Sequence, residues 1–536
     1  MINSIKEHWP IITALGILWA TIAVLLVLSI RQNQGHFVYP LDDSYIHMSM
    51  AKNFAQHGVW SINKCEFTSS SSSLLWTLIL SLTYYLIGPN EFSPVVLSFI
   101  SGSLLIFTVY FLLRKYSLQS FFILIILLAI ILFASLPLLI FSGLEHTMHA
   151  LLTILFVYIS AKILSAEKVV SKDYMMLLIV APLLTMTRYE GLFLVLVVII
   201  LFVVRKRLVN SILLGGLAVI PIAIYGVISI IKGWYFLPNS VLLKGNVPSF
   251  SMIGMSRFIN HFYEQIVRNQ HILILLSMAL FLFIFQYGKQ KIFWKEPVIM
   301  LSIFITTTLF HLLFARVGGL PRYDAYLVAL GILVIAFGMR EYLPQKVSIV
   351  FNKKLIIKYA AIALLIFIMV LPFAGRGVLY LRIIPQATTN IYEQQYQMGL
   401  FLNKFYQGES VAANDIGAIN YLADIKCLDL WGLGSSEVAE LMIQGRYNTQ
   451  QIYDLAKQKQ VKIAVVYDHW FKEYGGIPPA WIKAGEWKIP NNIICGGDTV
   501  SFYAVNTSEV DNLNKNLRTF SSFLPKDVMQ SGDYTK

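Results

Sequence analysis

Two adjacent carboxylates, Asp42 and Asp43, are the residues of this sequence whose types and spacing best suit catalysis. After them Ile46, Met50 and Phe54 recur every fourth residue, which predicts an amphipathic helix lying along a membrane surface. A carboxylate near a low-dielectric interface suits a general base or a metal ligand. The alternative is that both carboxylates only cap the helix, as acidic residues often do.

Further candidates for substrate binding are polar or charged residues that interrupt apolar sequence. They are His47, Glu145, Arg188, Glu190, Asn239, Lys244 and Arg322. Ionisable groups at membrane depth are costly unless they are partnered, so Arg188 either binds substrate or pairs with a carboxylate that holds helices together. Lys244 is either a cation for a lipid phosphate or a snorkelling side chain. The basic residues together could stabilise a phosphate leaving group.

A run of five serines, Ser69 to Ser73, stands directly before Leu74-Leu75-Trp76. Serine hydroxyls cap helices and also occur in flexible connections. The run is therefore either a hydroxyl-rich linker or a site that binds a sugar or a phosphate.

The composition indicates a membrane protein, since 57% of the 536 residues are hydrophobic and 13% are charged, against roughly 25% charged residues in soluble domains. Apolar stretches near the roughly 20 residues needed to cross a bilayer recur as far as Phe373. From residue 374 onward there are 15 basic and 16 acidic residues, so the first 373 residues carry a formal charge of +14 and account for all of the net charge of +13. This distribution reflects loop orientation and excludes a nucleic-acid footprint.

The basic loops predict the topology, because positive charge marks the cytoplasmic side. With the amino terminus in the cytoplasm and the short run 74–87 not crossing, eleven crossings remain. They are 11–30, 95–113, 121–140, 146–164, 174–186, 192–204, 212–231, 272–287, 298–315, 323–338 and 356–373. The loop 32–94, with its juxtamembrane helices, and residues 374–536 then lie outside the membrane on the opposite face, where the candidate site residues would meet.

The chain thus divides into a polytopic α-helical membrane domain, 1–373, and an extracytoplasmic domain, 374–536. The second domain has strand patterns at 410–413, 461–467 and 500–505 and an amphipathic helix at 449–459, which predict a small α/β fold. Residues 506–536 are expected to form a loosely held tail. The three cysteines have no CxxC spacing, and a single bridge between Cys427 and Cys495 stays open.

These motifs together resemble the GT-C superfamily of membrane glycosyltransferases, and their pattern is most similar to the terminal arabinofuranosyltransferase group of mycobacteria. The resemblance is carried by Asp42-Asp43-Ser-Tyr-Ile, Thr68-Ser, Gly143-Leu-Glu145, Thr187-Arg-Tyr-Glu190-Gly191, Pro238-Asn239-Ser with Lys244, Ile416-Gly417-Ala and Asp429-Leu-Trp431-Gly432-Leu433. Met48 departs from it, because many relatives have arginine there.

The resemblance implies an inverting transfer of a hexose or pentose from a polyprenyl-phosphate donor. The acceptor would be a glycan, lipid or protein of the cell envelope, at the outer face of the inner membrane. Asp42 would take the proton of the acceptor hydroxyl, with Asp43 as the second candidate. Some members use a divalent cation such as Mg, Mn or Ca, and no residue of this sequence fixes one.

A polytopic transporter or flippase for a lipid-linked saccharide is the alternative. Such proteins show paired repeats and polar residues near the bilayer midplane. This sequence has no evident repeat, and its ionisable residues gather at the predicted outer ends of helices.

Reporter fusions test the predicted topology. A fusion after Arg205 is expected to report the cytoplasm, because Arg205-Lys206-Arg207 would follow the crossing 192–204. A fusion after residue 536 is expected to report the periplasm and serves as the opposite control. A periplasmic signal at Arg205 would scatter the candidate site residues over both leaflets.

Overall fold

A computed structural model of the protein describes residues 2–243, 252–315, 320–342 and 353–536. The chain forms two compact units, and each is assembled from three segments. The first unit comprises Met1–Val24, Leu97–Ala223 and Gly245–Arg382, and the second comprises Leu25–Val96, Ile224–Lys244 and Ile383–Lys536.

Helices make up most of the described chain. The first fifteen are α1 Ile2–Gln32, α2 Asp42–His57, α3 Leu74–Ile87, α4 Ser93–Lys115, α5 Ser120–Phe133, α6 Leu136–Phe141, α7 His146–Ser165, α8 Ser171–Thr187, α9 Gly191–Val204, α10 Leu208–Ile231, α11 Asn239–Leu242, α12 Met252–Arg268, α13 Gln270–Gln290, α14 Glu296–Phe314 and α15 Ala325–Met339. The rest are α16 Lys353–Ile391, α17 Gln397–Phe405, α18 Gly417–Leu422, α19 Ser436–Ile443, α20 Thr449–Gln458 and α21 Val510–Phe520.

Apolar runs become helices because a chain in lipid must satisfy its own backbone hydrogen bonds. Among the described residues, eight helices are long and apolar enough to cross a membrane. Six of them lie within α1, α4, α7, α10, α13 and α14. The other two are Ala325–Tyr342, which begins with α15, and Phe367–Phe405, which runs from α16 to the end of α17, while α3, α5 and α9 are shorter apolar helices. The eleven predicted crossings all fall on helical segments. The number of crossings and their orientation stay predictions.

The predicted crossing 121–140 is interrupted, which the hydrophobic pattern did not indicate. The backbone of Ser135 is left-handed, with φ of 52°, and separates α5 from α6. Pro137 lies in the first turn of α6, where its missing N–H is tolerated. Pro182 and Pro221 lie inside α8 and α10 without such a break, so the left-handed backbone of Ser135 distinguishes this interruption.

The second unit contains a six-stranded sheet in the order β2-β1-β3-β5-β4-β6. The strands are β1 Ser410–Ala413, β2 Lys426–Asp429, β3 Ile463–Val466, β4 Ile482–Lys488, β5 Thr499–Ala504 and β6 Met529–Gly532. Strand β1 pairs in parallel with β2 and β3, whereas β5, β4 and β6 join by antiparallel pairing. Val411 lies opposite both Cys427 and Ile463.

Both faces of the parallel part are covered, as such sheets require. Val411 and Ala413 point to a core that also contains Trp487, while Ala412 points to the core beneath α20. This alternation is the period of two that a strand imposes on its side chains. The predicted small α/β domain is therefore present, with strands at all three predicted positions.

The expectation of a loosely held tail was wrong. Leu513, Leu517 and Phe520 of α21 are buried in the core beside Trp487, and β6 pairs with β4. The spacing of four and three residues places these side chains on one face of a helix, which the core then covers. The open cysteine bridge is also absent, since Cys427 and Cys495 are both free thiols.

Candidate functional site

The start of α2 and the start of α18 are joined through the side chain of Asp42. Its Oδ2 accepts the backbone N–H of Gly417 at 2.7 Å, and its Oδ1 accepts that of Ala418 at 2.8 Å. A Cβ at Gly417 would overlap the carbonyl oxygen and carboxyl group of Asp42. Glycine is therefore needed there for close approach, and the motif Ile416-Gly417-Ala acquires a physical role.

The other end of α18 is held by the same helix α2. The Nζ of Lys52 donates to the carbonyl of Tyr421 at 2.5 Å and approaches the carbonyl of Asn420 at 3.5 Å. A carboxylate at the amino end of a helix and an ammonium at its carboxyl end both match the peptide dipoles. We call this arrangement of Asp42, Lys52 and α18 the α18 clamp.

The carboxyl group of Asp42 is oriented and has a perturbed acidity. Burial raises its pKa well above the ordinary range and the nearby Asp415 raises it further, while the N–H groups of Ala418 and Gly417 act against both. Asp415 itself accepts from Gln395 at 2.9 Å and from the hydroxyl of Tyr467 at 3.1 Å. An oriented carboxyl group suits general base catalysis, and a raised pKa makes its carboxylate a stronger base than an ordinary one.

The apolar face of α2 does not serve the purpose predicted for it. Ile46 and Met50 are buried against Ile62, Ile416 and Leu433, which belong to the same unit. A four-residue repeat shows that one face of a helix is covered, but not what covers it. The prediction that this face of α2 lies along a membrane surface was therefore wrong for Ile46 and Met50. Both side chains pack on other residues of the protein.

His47 and the serine run lie in the interior beside α3. The Nδ1 of His47 is 3.1 Å from the hydroxyl of Thr77 and 3.3 Å from that of Ser71, and those two hydroxyls are 2.9 Å apart. Ser73 caps α3 by accepting the N–H of Trp76. These contacts join α2 to α3, and four of the five serines are buried, so the run is not a flexible linker. Its binding of a sugar or a phosphate stays a prediction. Substrate binding by His47 stays a prediction.

Asn239, of the Pro238-Asn239-Ser motif, connects the serine run to the motif that contains Gly432, and all three lie in the second unit. Its backbone N–H donates to the carbonyl of Ser69 at 2.9 Å, and its side-chain amide donates to the carbonyl of Gly432 at 2.7 Å. The loop that contains Gly432 is itself shaped by Asp429, which accepts the N–H groups of Trp431 and Gly434. The predicted Lys244 lies outside the described residues.

In the first unit, Arg188 joins both acids that the sequence singled out. Its Nη1 donates to Glu145 at 2.7 Å, while Nε and Nη2 donate to the two oxygens of Glu190 at 3.0 and 2.7 Å. The guanidinium also lies over the ring of Tyr323, as does that of Arg322. Arg188, Glu145 and Glu190 together carry a formal charge of −1. Because Arg188 is already neutralised by these two carboxylates, the arrangement favours a role in holding helices together over a role in binding an anion.

The acidity of Glu190 reflects this pairing. Burial alone would raise the pKa of its carboxyl group, but the charge and hydrogen bonds of Arg188 outweigh burial and lower the pKa to about 2. The stability that this ionised carboxylate contributes is therefore present above its ordinary value of 4.5 and is lost as the pH falls toward 2.

Sequence reasoning missed a second charged cluster in the first unit. Asp324 lies 2.6 Å from the Nε2 of His271 and accepts from Arg376 at 2.8 Å. Arg376 was not among the predicted site residues, because it follows the last predicted crossing, 356–373, and was therefore assigned to the extracytoplasmic domain. In the structure it lies within α16, and an arginine in such a helix is the signal that could have identified it.

The predicted site residues thus fall into two groups. Asp42, Asp43, His47 and Asn239 belong to the second unit, and Glu145, Arg188, Glu190 and Arg322 belong to the first. Their convergence on one site at the outer face stays a prediction. Among the residues that the structure describes, no group of three or more His, Cys, Asp or Glu side chains could hold a metal ion.

Comparisons with known proteins bear on the fold. Residues 389–503, well under half of the chain, match a family model described as a domain of unknown function, DUF8728. A comparison with curated proteins finds no match to the chain. The crystal structure of ArnT from Cupriavidus metallidurans bound to undecaprenyl phosphate is similar, with a TM-score of 0.52 and 12% sequence identity over 94% of this chain and 99% of that one.

The chain has an ArnT-like fold. The crystal structure of the same ArnT in the apo state also matches, with a TM-score of 0.48 and 12% identity over 92% of this chain and 99% of that one. With its apolar helices, the ArnT-like chain is a multi-pass membrane protein that carries a small mixed sheet in its carboxy-terminal region. The predicted fold class is confirmed.

The α18 clamp predicts a specific effect of Gly417→Ala. The added methyl group would displace Asp42, and we expect faster amide hydrogen exchange in α18 and a loss of about 1–3 kcal/mol of stability. Hydrogen-exchange mass spectrometry on the full-length protein in detergent measures the first effect. Gly16→Ala is the matched control, since a Cβ there meets nothing within 4 Å. Unchanged exchange in α18 of the Gly417→Ala variant would contradict the clamp.

The Arg188 group predicts that Arg188→Gln lowers the free energy of unfolding by about 3–5 kcal/mol, because two buried carboxylates lose their partner. The double variant Arg188→Gln, Glu190→Gln should recover part of that loss. Thermal unfolding in detergent at pH 7 measures both. Lys483→Gln, which removes a half-exposed ion pair with Asp468, is the control and should cost about 1 kcal/mol or less. A similarly small effect at Arg188 would rule out the structural role.

Proposed function

We propose that this protein is a membrane glycosyltransferase that takes a sugar from a polyprenyl-phosphate donor. The observation that carries the proposal is the ArnT-like fold, which extends over 94% of the chain and which in ArnT is seen with undecaprenyl phosphate bound. ArnT is a GT-C glycosyltransferase, and the motifs of this sequence resemble that superfamily independently of the structural comparison.

In the proposed reaction the carboxylate of Asp42 accepts the proton of an acceptor hydroxyl. The hydroxyl oxygen attacks the anomeric carbon from the face opposite the phosphate, and the bond between that carbon and the phosphate oxygen breaks. The sugar is transferred with inversion, and the negative charge leaves on polyprenyl phosphate. The raised pKa of Asp42 and its two backbone hydrogen bonds support this choice of base. Asp43, which follows it in α2, is the second candidate.

The leaving phosphate needs compensating positive charge. Arg188 is poorly suited, because its guanidinium already donates to Glu145 and Glu190. Arg322 and Lys244 stay the predicted cations for this role, and a divalent cation (Mg, Mn or Ca) would act in the same way. The transferred sugar would be a hexose or a pentose. The acceptor would be an envelope glycan, lipid or protein on the outer face of the inner membrane.

A transfer assay with purified full-length protein in lipid nanodiscs tests the proposal. The donors are polyprenyl-phosphate pentoses and hexoses, and the readout is labelled product on a panel of envelope glycans and lipids. Asp42→Asn should lower the rate by roughly 10²–10⁴-fold, as loss of a general base does. In the wild type, kcat/KM should rise with pH as Asp42 ionises, and this rise should disappear in Asp42→Asn.

Because Asp42 also belongs to the α18 clamp, a control must separate structure from chemistry. Lys52→Met weakens the clamp at its other end without changing a carboxylate, and we expect it to retain the pH dependence of kcat/KM. Wild-type rates in both Asp42→Asn and Asp43→Asn would refute the base assignment. Movement of a lipid-linked saccharide across the bilayer with no transfer would identify a flippase instead.

A further inference from the structure

A cavity of about 310 Å³ lies in the first unit between α1, α5, α6 and α16. Its walls are largely aliphatic, with Leu128 on one side and Leu381 on another. The polar residues of the lining are Thr21 of α1, Ser135 at the break between α5 and α6, and Tyr380 of α16. The interruption of an otherwise continuous helix shapes this cavity, since Pro137 just after the break also lines it.

A cation with an unused hydrogen-bond donor lies beside this cavity. Arg376 directly precedes Gly377, a lining residue, and its guanidinium is 5.7 Å from the ring centroid of Tyr380, another lining residue. Its Nη2 donates to Asp324, but no described residue accepts a hydrogen bond from its buried Nη1. An unsatisfied charged donor is costly, so an oxygen anion placed there would gain a charge-assisted hydrogen bond.

We propose that the cavity receives the head-proximal part of a polyprenyl chain and that Arg376 binds the attached phosphate. This inference rests on the proposed function and assigns part of the donor site to residues that no sequence motif indicated. One apolar cavity beside one cation matches an amphiphile with a single chain and a phosphate. A phospholipid brings two acyl chains to a single cavity. Its phosphodiester has the same charge as that of a sugar-bearing polyprenyl phosphate, so the number of chains, and not the charge, distinguishes the two ligands.

The ion pair between Arg376 and Asp324 allows a test that separates a ligand role from a structural one. Binding of undecaprenyl phosphate to the full-length protein in detergent is measured by native mass spectrometry. Arg376→Gln should weaken binding by roughly tenfold or more, the expected loss for a hydrogen bond to a charged group. Asp324→Asn should leave binding equal or tighter, because the cation remains and its competitor is gone.

The double variant Arg376→Gln, Asp324→Asn decides the matter. It restores the balance of buried charge, so a purely structural role for Arg376 predicts that binding returns to the wild-type level. The phosphate role predicts that binding stays weak. Recovery of wild-type affinity in the double variant would overturn the proposal.

The cavity is tested separately with Leu128→Trp, which fills it. This change should abolish binding of both undecaprenyl phosphate and undecaprenol, whereas Arg376→Gln should not weaken undecaprenol. Ile212→Trp on α10 is the matched control, since Ile212 is 73% exposed and lies outside the cavity lining. Unchanged binding in Leu128→Trp, or equal competition by phosphatidylglycerol, would overturn the assignment.

Failure of this proposal differs from failure of the proposed function. If the wild type transfers sugar while the Arg376 and Leu128 variants bind undecaprenyl phosphate normally, the cavity assignment is wrong and the glycosyltransferase stands. If the variants lose binding as expected but the wild type transfers no sugar to any acceptor, the cavity assignment stands and the proposed reaction is wrong.

Discussion

The pairing of the Asp42 carboxylate with two peptide N–H groups of α18 is the interaction on which the arrangement of the second unit depends. It sets a residue of the first loop, more than 370 positions away in sequence, against the loop that follows β1. Such loops, at the carboxyl ends of parallel strands, are where open α/β sheets usually bind ligands. Here the chain binds its own carboxylate, so the sheet domain orients the proposed base.

Charge burial in the first unit follows one rule, which is that each buried ion has a partner. Glu145 and Glu190 share Arg188, and Asp324 shares His271 and Arg376. Replacing one partner would leave an uncompensated charge, which costs far more than the net gain of the pair. Arg376 keeps to this rule through Asp324, while its Nη1 has no acceptor among the described residues and lies near an apolar cavity, which is why the lipid phosphate is proposed to bind there.

Several features were predictable because their causes are local. Apolar runs of sufficient length form helices, so all eleven predicted crossings fall on helical segments, and the helix Leu74–Ile87 has the predicted bounds. The strands at 463–466 and 499–504 follow from short β-branched and aromatic runs, whereas the strand at 410–413 is the apolar stretch Ser-Val-Ala-Ala. Asp42 and Asp43 could be selected because adjacent acids near a membrane interface are hard to explain by packing alone. Arg188 and its two acids were recognised for the same reason.

The sequence by itself therefore determined a helical membrane chain with a small mixed sheet and a short set of candidate charges. Only the tertiary structure decided which groups meet. It placed Ile46 and Met50 on protein, covered α21 with the core, and assigned Arg376 to Asp324. The physical reason is that periodicity and helix length arise from backbone hydrogen bonds between near neighbours. The partner of a buried face or charge comes from residues tens to hundreds of positions away, and a single sequence does not record which residues those are.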